Sequence, residues 1–173
     1  MKIKKIIFVA LALIFSTLFF AKDYGTVDLD INRYLGTWYE IARFPLFWER
    51  GQVNTTANYS LMEDGRIKVI NTGYYYKPDG KKSSFQGVAY APNPEEPGKL
   101  LVSFFAFIES DYWVILLDEE NYSYAAVSNP DKDYLWILSR TPLMDDDIYN
   151  MILDQLEEWN FDLTKLEKVL QEY

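Results

Sequence analysis

The sequence predicts an all-β domain of eight short strands, a sandwich or a barrel, with a single amphipathic helix near the C-terminus. Two observations carry this. Beyond residue 21, apolar and polar residues alternate in short runs set apart by turn signals at regular spacing. After Arg140 the apolar period changes from two residues to nearly four. The 173 residues suit one domain behind a leader, and no internal repeat or low-complexity segment asks for more.

The chain opens with a targeting segment in form. Lys2, Lys4 and Lys5 precede an apolar run over 6–21 that only Ser16 and Thr17 interrupt. The run is shorter than the roughly 20 residues a spanning helix needs. Cleavage after Ala21 would set the bulky Phe19 where a small residue is preferred, so a cleaved signal peptide and a retained N-terminal anchor both stay open. Residues 1–21 are therefore read as the leader and 22–173 as a single domain.

The first strand is expected over 38–44. Residues 54–61 alternate around Thr55, Ala57 and Tyr59, Glu63-Asp64-Gly65 turns the chain, and 66–74 alternates again, which is the signature of a hairpin. Lys77-Pro78-Asp79-Gly80 marks the next turn, 84–91 the next strand, and 92–98 a loop rich in breakers. Strands over 100–108, 112–117, 122–127 and 134–139 complete the series, with Glu109-Ser110-Asp111 and Asp118-Glu119-Glu120 read as solvated turns. Then Ile148, Met151, Ile152, Leu156 and Trp159 share one helical face, with Asp145, Asp146 and Asp147 in the first turn, where the helix dipole favours negative charge. The polar face is acidic, which favours a helix packed against the domain over one lying on a membrane.

Composition excludes more than it selects. There is no His and no Cys, so no Ser-His-Asp or Cys-His catalytic set, imidazole or thiolate metal site, disulfide or haem histidine can form. The net charge of −9 argues against nucleic acid, whose phosphates need a basic footprint. Aromatics make up 17% of the chain, with 14 Tyr and 5 Trp, a load able to line an apolar pocket and place hydroxyl and indole donors at its edges. No cofactor and no metal is expected, and no calcium-loop spacing is present in the acidic turns.

Two runs far apart in the chain give the domain its family. Gly36-Thr37-Trp38-Tyr39-Glu40-Ile41-Ala42-Arg43 carries a Gly-x-Trp-Tyr-Glu pattern, and Asp131-Lys132-Asp133-Tyr134-Leu135-Trp136-Ile137-Leu138-Ser139-Arg140 ends a late strand on an arginine. With Asp30-Ile31-Asn32-Arg33-Tyr34-Leu35, Ala57-Asn58-Tyr59-Ser60-Leu61 and Gly65-Arg66-Ile67-Lys68-Val69-Ile70-Asn71, they resemble the lipocalin family over 25–165, and within it the bacterial outer-membrane and apolipoprotein D branches. The resemblance implies an eight-stranded antiparallel up-and-down barrel with one C-terminal α-helix outside it. It implies that Gly36, Trp38 and Arg140 close the barrel, the guanidinium stacking on the indole and bonding carbonyls around it. At 163–173 it implies a short outer strand, where Leu166, Val169 and Leu170 would also suit a helix. Bacterial members commonly carry a lipidated cysteine after the leader. This chain has none, so the expectation is an exported periplasmic or envelope protein without that anchor.

In function the resemblance implies reversible binding of fatty acids, lysophospholipids or similar small hydrophobic molecules inside the barrel. Side chains i and i+2 share a face of a strand, so an inward Trp38 carries Glu40 and Ala42 in with it and leaves Tyr39 and Ile41 outside. Carried over in the same way, Ala57, Tyr59, Val69, Asn71, Val102, Phe104, Tyr112 and Trp136 line the pocket, with Leu138 beside Trp136. Tyr59, Asn71 and Tyr112 are the groups able to meet a polar head, and Glu40 is a buried acid for Arg43 or Arg140 to pair with. The segment Phe44-Pro45-Leu46-Phe47-Trp48 is unusually apolar for a loop and is read as a mouth-side lid, through Phe44, Phe47 and Trp48, that meets a membrane surface or a second copy of the chain. Two other classes remain open: an envelope protein acting through that surface, and an enzyme using a carboxylate pair such as Glu40 and Asp133.

Overall fold

The computed structural model describes residues 24–105 and 108–172, and the leader expected at 1–21 lies outside them. A short helix α1 (Ile31–Tyr34) leads into β1 (Gly36–Arg43), and the strands then follow in chain order: β2 (Gln52–Leu61), β3 (Ile67–Tyr75), β4 (Lys82–Tyr90), β5 (Lys99–Phe105), β6 (Ile108–Leu117), β7 (Tyr124–Ser128) and β8 (Leu135–Ser139). Each pairs antiparallel with the next, and β1 pairs with both β2 and β8, which closes the sheet. The result is the eight-stranded up-and-down barrel that the resemblance implies, without a free edge between β1 and β8.

Most strand limits shift by one or two residues from expectation, and the largest departure lies between β5 and β6. Glu109-Ser110-Asp111 is not a turn but the start of β6, paired through Val102↔Ser110 and Leu101↔Asp111, and the strand expected over 100–108 ends at Phe105. Three polar residues in a row hid the strand's alternation. The Tyr90 hydroxyl donates to Glu109 at 3.0 Å, which gives that carboxylate a partner across the sheet.

Helix α2 (Asp146–Glu158) lies against the outside of the barrel, its N-terminus capped by the Asp145 carboxylate accepting from Asp147 N–H. Ile152 and Leu156 are fully buried with Ile137, Leu135 and Ala126 of the barrel wall. Met151, expected in the stripe, turns to solvent, and Tyr149, not expected there, is buried in it. A second cluster fills the barrel interior around Trp38, Tyr34 and Tyr59. The molecule therefore has two cores, with the sheet between them.

The C-terminal segment settles into strand, as the resemblance implies. A 3₁₀ turn (Leu163–Lys165) precedes β9 (Glu167–Lys168), which pairs with β1 at Ala42↔Lys168 and Arg43↔Glu167. Its cause lies in β2. Pairing of β1 with β2 stops at Tyr39↔Thr56, while β1 runs on to Arg43. The exposed edge of β1 is covered by the tail: Val169 N–H donates to the Ile41 carbonyl, Asn54 N–H to the Leu170 carbonyl, and the Gln171 amide to the carbonyls of Glu40 and Thr55.

Candidate functional site

The closed end of the barrel is built on Trp38, which has no exposed surface. Its indole N–H donates to the Tyr34 carbonyl at 2.8 Å, and the Tyr34 ring lies 4.8 Å from it. The Arg140 guanidinium stacks at 3.9 Å from the indole centroid and donates to the carbonyls of Arg33, Thr37 and Tyr122. Gly36 sits at φ +96°, and a Cβ there would meet Arg140 Nη1 at 3.3 Å. Strand start, indole and cap thus hold one another.

Above this floor lies a cavity of about 460 Å³, within the range of small-molecule sites. All eight residues carried over from the resemblance border it: Ala57 and Tyr59 from β2, Val69 and Asn71 from β3, Val102 and Phe104 from β5, Tyr112 from β6 and Trp136 from β8. Leu138 and Glu40 border it too. The pleat accounts for this on β2, β3 and β8, whereas the register of β5 shifts between Val102 and Phe105, and both Phe104 and Phe105 border the cavity.

The polar groups are arranged differently from the sequence expectation. The Tyr59 and Tyr112 hydroxyls are partners at 2.7 Å, and Tyr112 also bonds Tyr34 at 2.9 Å. Burial pushes all three phenols upward, so they stay protonated and hydrogen-bond one another at the floor. Asn71 Oδ1, by contrast, is buried with no hydrogen-bond partner.

A β-bulge reorders the end of β1. The pairing with β8 shifts between Glu40 and Ala42, so Ala42 points into the outer core with Ile137 and Tyr149, not into the cavity as strict alternation predicts. The same shift swings Arg43 inward. Its Nη1 donates to Glu40 Oε1 at 3.0 Å and to Thr55, and its Nη2 to the carbonyls of Glu49 and Gln52. Glu40 and Arg43 are 5% and 4% exposed, so this is a buried ion pair. Burial holds the Glu40 carboxyl above its ordinary range even against the pull of Arg43.

Sequence reasoning missed Glu49, which borders the cavity at 8% exposure from the loop after β1. Burial pushes its carboxyl up to about 8, the Glu40 charge adds to the rise, and Arg43 and the Trp136 indole hold it back. A charged residue in a loop reads as solvated, and nothing in the one-dimensional pattern signals that this loop folds inward. Asp133, considered as a partner of Glu40, is exposed and away from the cavity, so that pair is not assembled.

The mouth segment divides in two. Phe44 is not part of a lid: it is 4% exposed in the outer core, 6.5 Å from the Phe161 ring, because its position one residue past the bulged strand keeps it on the outer face. Phe47 is 82% and Trp48 54% exposed, and Trp48 also borders the cavity. Phe105 and Ile108, across the β5–β6 hairpin, are 65% and 64% exposed and border it as well. The opening is rimmed by large apolar side chains.

A closed eight-stranded barrel, sealed at one end by an arginine on a tryptophan and open through an apolar mouth, is the architecture of a binding protein for small hydrophobic molecules. The chain belongs to the lipocalin family: the model of the lipocalin-like domain matches residues 29–171. It is 43% identical over 145 residues to the outer membrane lipoprotein Blc of Vibrio cholerae, covering 84% of each chain. It is 47% identical to the Blc lipoprotein of Escherichia coli K12, over 80% of this chain and 77% of that one. Bovine apolipoprotein D is 37% identical over 80% of this chain and 75% of its own. Among solved structures, insecticyanin from the tobacco hornworm superposes with a TM-score of 0.68 at 23% identity, over 88% of this chain and 85% of that one, a likeness of fold.

Proposed function

We propose that the chain holds or carries small single-tailed hydrophobic molecules, of the fatty acid or lysophospholipid kind, in support of the bacterial cell envelope, and that it is a binder and not an enzyme. The observation that carries this reading is the cavity, whose wall is mainly apolar and aromatic and whose mouth is open. Export to the periplasm or envelope fits the leader and the outer-membrane lipoproteins it resembles, and the lack of cysteine leaves no residue for their kind of lipid anchor. Each buried methylene contributes about 0.8 kcal/mol, and association costs several kcal/mol, so an acyl chain of ordinary length is expected to bind at about micromolar Kd. Titration of twelve-carbon ligands followed by tryptophan fluorescence is the test, with Trp136 on the cavity wall. Absence of any saturable change well above micromolar ligand overturns the reading.

The rim favours loading from a lipid surface. Phe47 and Trp48 on one side, and Phe105 and Ile108 on the other, stand exposed around the opening. Burying a Phe or Trp side chain contributes about 1.5–3 kcal/mol. Phe47→Ser with Trp48→Ser is therefore expected to slow transfer from vesicles by about tenfold or more, with a much smaller change in Kd for dispersed ligand. A dimer lost in the variant, with vesicle transfer unchanged, would assign the rim to self-association instead.

A further inference from the structure

The charged side chains that border the cavity are all acidic among the described residues. Glu40, Glu49 and Asp111 border it, and no lysine or arginine is among the described residues that do. The nearby cation is already engaged: Arg43 donates to the Glu40 carboxylate and to the backbone carbonyl of Glu49, not to the Glu49 carboxylate. Glu49 Oε2 and Asn71 Oδ1 are each buried without a hydrogen-bond partner. Buried acceptors in native proteins are nearly always satisfied, and an exception points to a missing partner. Of the three such atoms among the described residues, the two acceptors border one cavity, and the third is the donor Arg43 Nε, which is not on its wall.

We infer that the cavity selects single-tailed amphiphiles whose polar end is an ammonium group, recognised by Glu49. This rests on the cavity-binding reading above and narrows it. A ligand carboxylate would bring only acceptors to the unpartnered acceptors Glu49 Oε2 and Asn71 Oδ1. An alcohol brings one donor and no charge. A primary ammonium brings three donors and the charge that the Glu49 carboxylate lacks. The ammonium of a free long-chain amine and that of an ethanolamine lysolipid share this chemistry.

Recognition is linked to protonation. The empty site keeps a proton on Glu49 up to about pH 8, and the ammonium binds the ionised form. The other titratable groups around the cavity are Glu40 on β1 with Arg43 bonded to it, Tyr59 on β2, Asp111 and Tyr112 on β6, and Tyr134 just before β8. Burial holds Tyr59 and Tyr112 protonated throughout the neutral range. Affinity for an ammonium ligand then rises about tenfold from pH 7 to pH 9, as the ionised fraction of Glu49 rises from about a tenth to about nine tenths. The attraction of the surface charge for any cation is nearly flat over this window, because exposed carboxylates are already ionised.

The test compares dodecylamine and dodecanoate below their micellar concentrations, and dodecanol below its solubility limit, by tryptophan fluorescence at pH 7 and pH 9. Dodecylamine stays charged to pH 9, since its ammonium resembles that of lysine, near pKa 10.4. The ratio of the dodecanol Kd to the dodecylamine Kd is expected to grow about tenfold over this interval in the native protein and to stay flat in Glu49→Gln. Should that variant fail to fold, calorimetry of the native protein at pH 7 in buffers of different ionisation enthalpy gives the same answer. Close to one proton is released per dodecylamine bound, and none per dodecanol. Twelve-carbon lysophosphoethanolamine identifies the source: a matching pH response assigns the site to a lysolipid head group, and its absence beside a response to dodecylamine assigns it to free amines. Saturable dodecanol binding with no preference for dodecylamine, or a preference untouched by Glu49→Gln, overturns the inference and leaves the cavity reading standing. No binding by dodecanol or the others overturns both.

Discussion

Trp38→Ala is expected to destabilise the protein by about 3–5 kcal/mol, as removal of a buried Trp side chain does elsewhere. The loss is at the upper end of single substitutions because four contacts go together. The indole fills the closed end with no exposed surface, bonds the Tyr34 carbonyl, packs tilted against the Tyr34 ring and carries the Arg140 guanidinium. Without the ring beneath it, Arg140 keeps its three carbonyl acceptors but loses its stacking platform. In a chain of this size such a loss lowers the Tm by roughly 6–20 °C. Tyr59→Phe is the contrast, since it removes one hydroxyl bonded to Tyr112 and costs about 1 kcal/mol. Thermal melts of the two variants side by side check the claim. Equal loss in both would show that the closed end does not depend on Trp38.

Legibility in the sequence follows strand regularity. On β2, β3 and β8 the period of two agrees with the residues that the resemblance carries over, Ala57, Tyr59, Val69, Asn71 and Trp136, all of which border the cavity, as do Val102 and Phe104 at the register shift in β5. Alternation failed at the bulge in β1, where one extra residue sends Ala42 out and Arg43 in. A bulge has no signature in side-chain chemistry, and Arg43 reads as an ordinary end-of-strand charge until Glu40 and the Glu49 and Gln52 carbonyls surround it. Phe44 was grouped with Phe47 and Trp48 by hydropathy alone, yet the first belongs to the outer core and the others to the rim. Glu49 was invisible for the opposite reason. Its burial is imposed by the path of a loop, and loops carry no periodicity to read.

Arg43→Met is expected to cost about 3–5 kcal/mol at pH 8, and less at pH 5. The change leaves Glu40 buried without its cation and removes the pull that holds Glu49 back. Both carboxyls already lie above their ordinary range in the folded protein, so the folded state binds more protons than the unfolded one as pH rises from about 4.5. Stability therefore falls with rising pH across the window between the unfolded and folded values, up to about pH 8 for Glu49. Taking Arg43 away raises both folded values further, which widens the window and deepens the loss on its alkaline side. At pH 5, only half a unit above the unfolded value of about 4.5, both groups are neutral in the folded variant and the ionisation penalty is small, so the loss comes mainly from the packing and hydrogen bonds of the guanidinium. Glu40→Leu added to Arg43→Met removes the stranded charge, and the double variant is expected to recover most of the stability, as buried pairs replaced by apolar residues commonly do. Urea denaturation of the native protein and both variants at pH 5 and pH 8 measures this directly. A loss in Arg43→Met that is the same at both pH values would mean that the pair holds β1 through shape and not through charge.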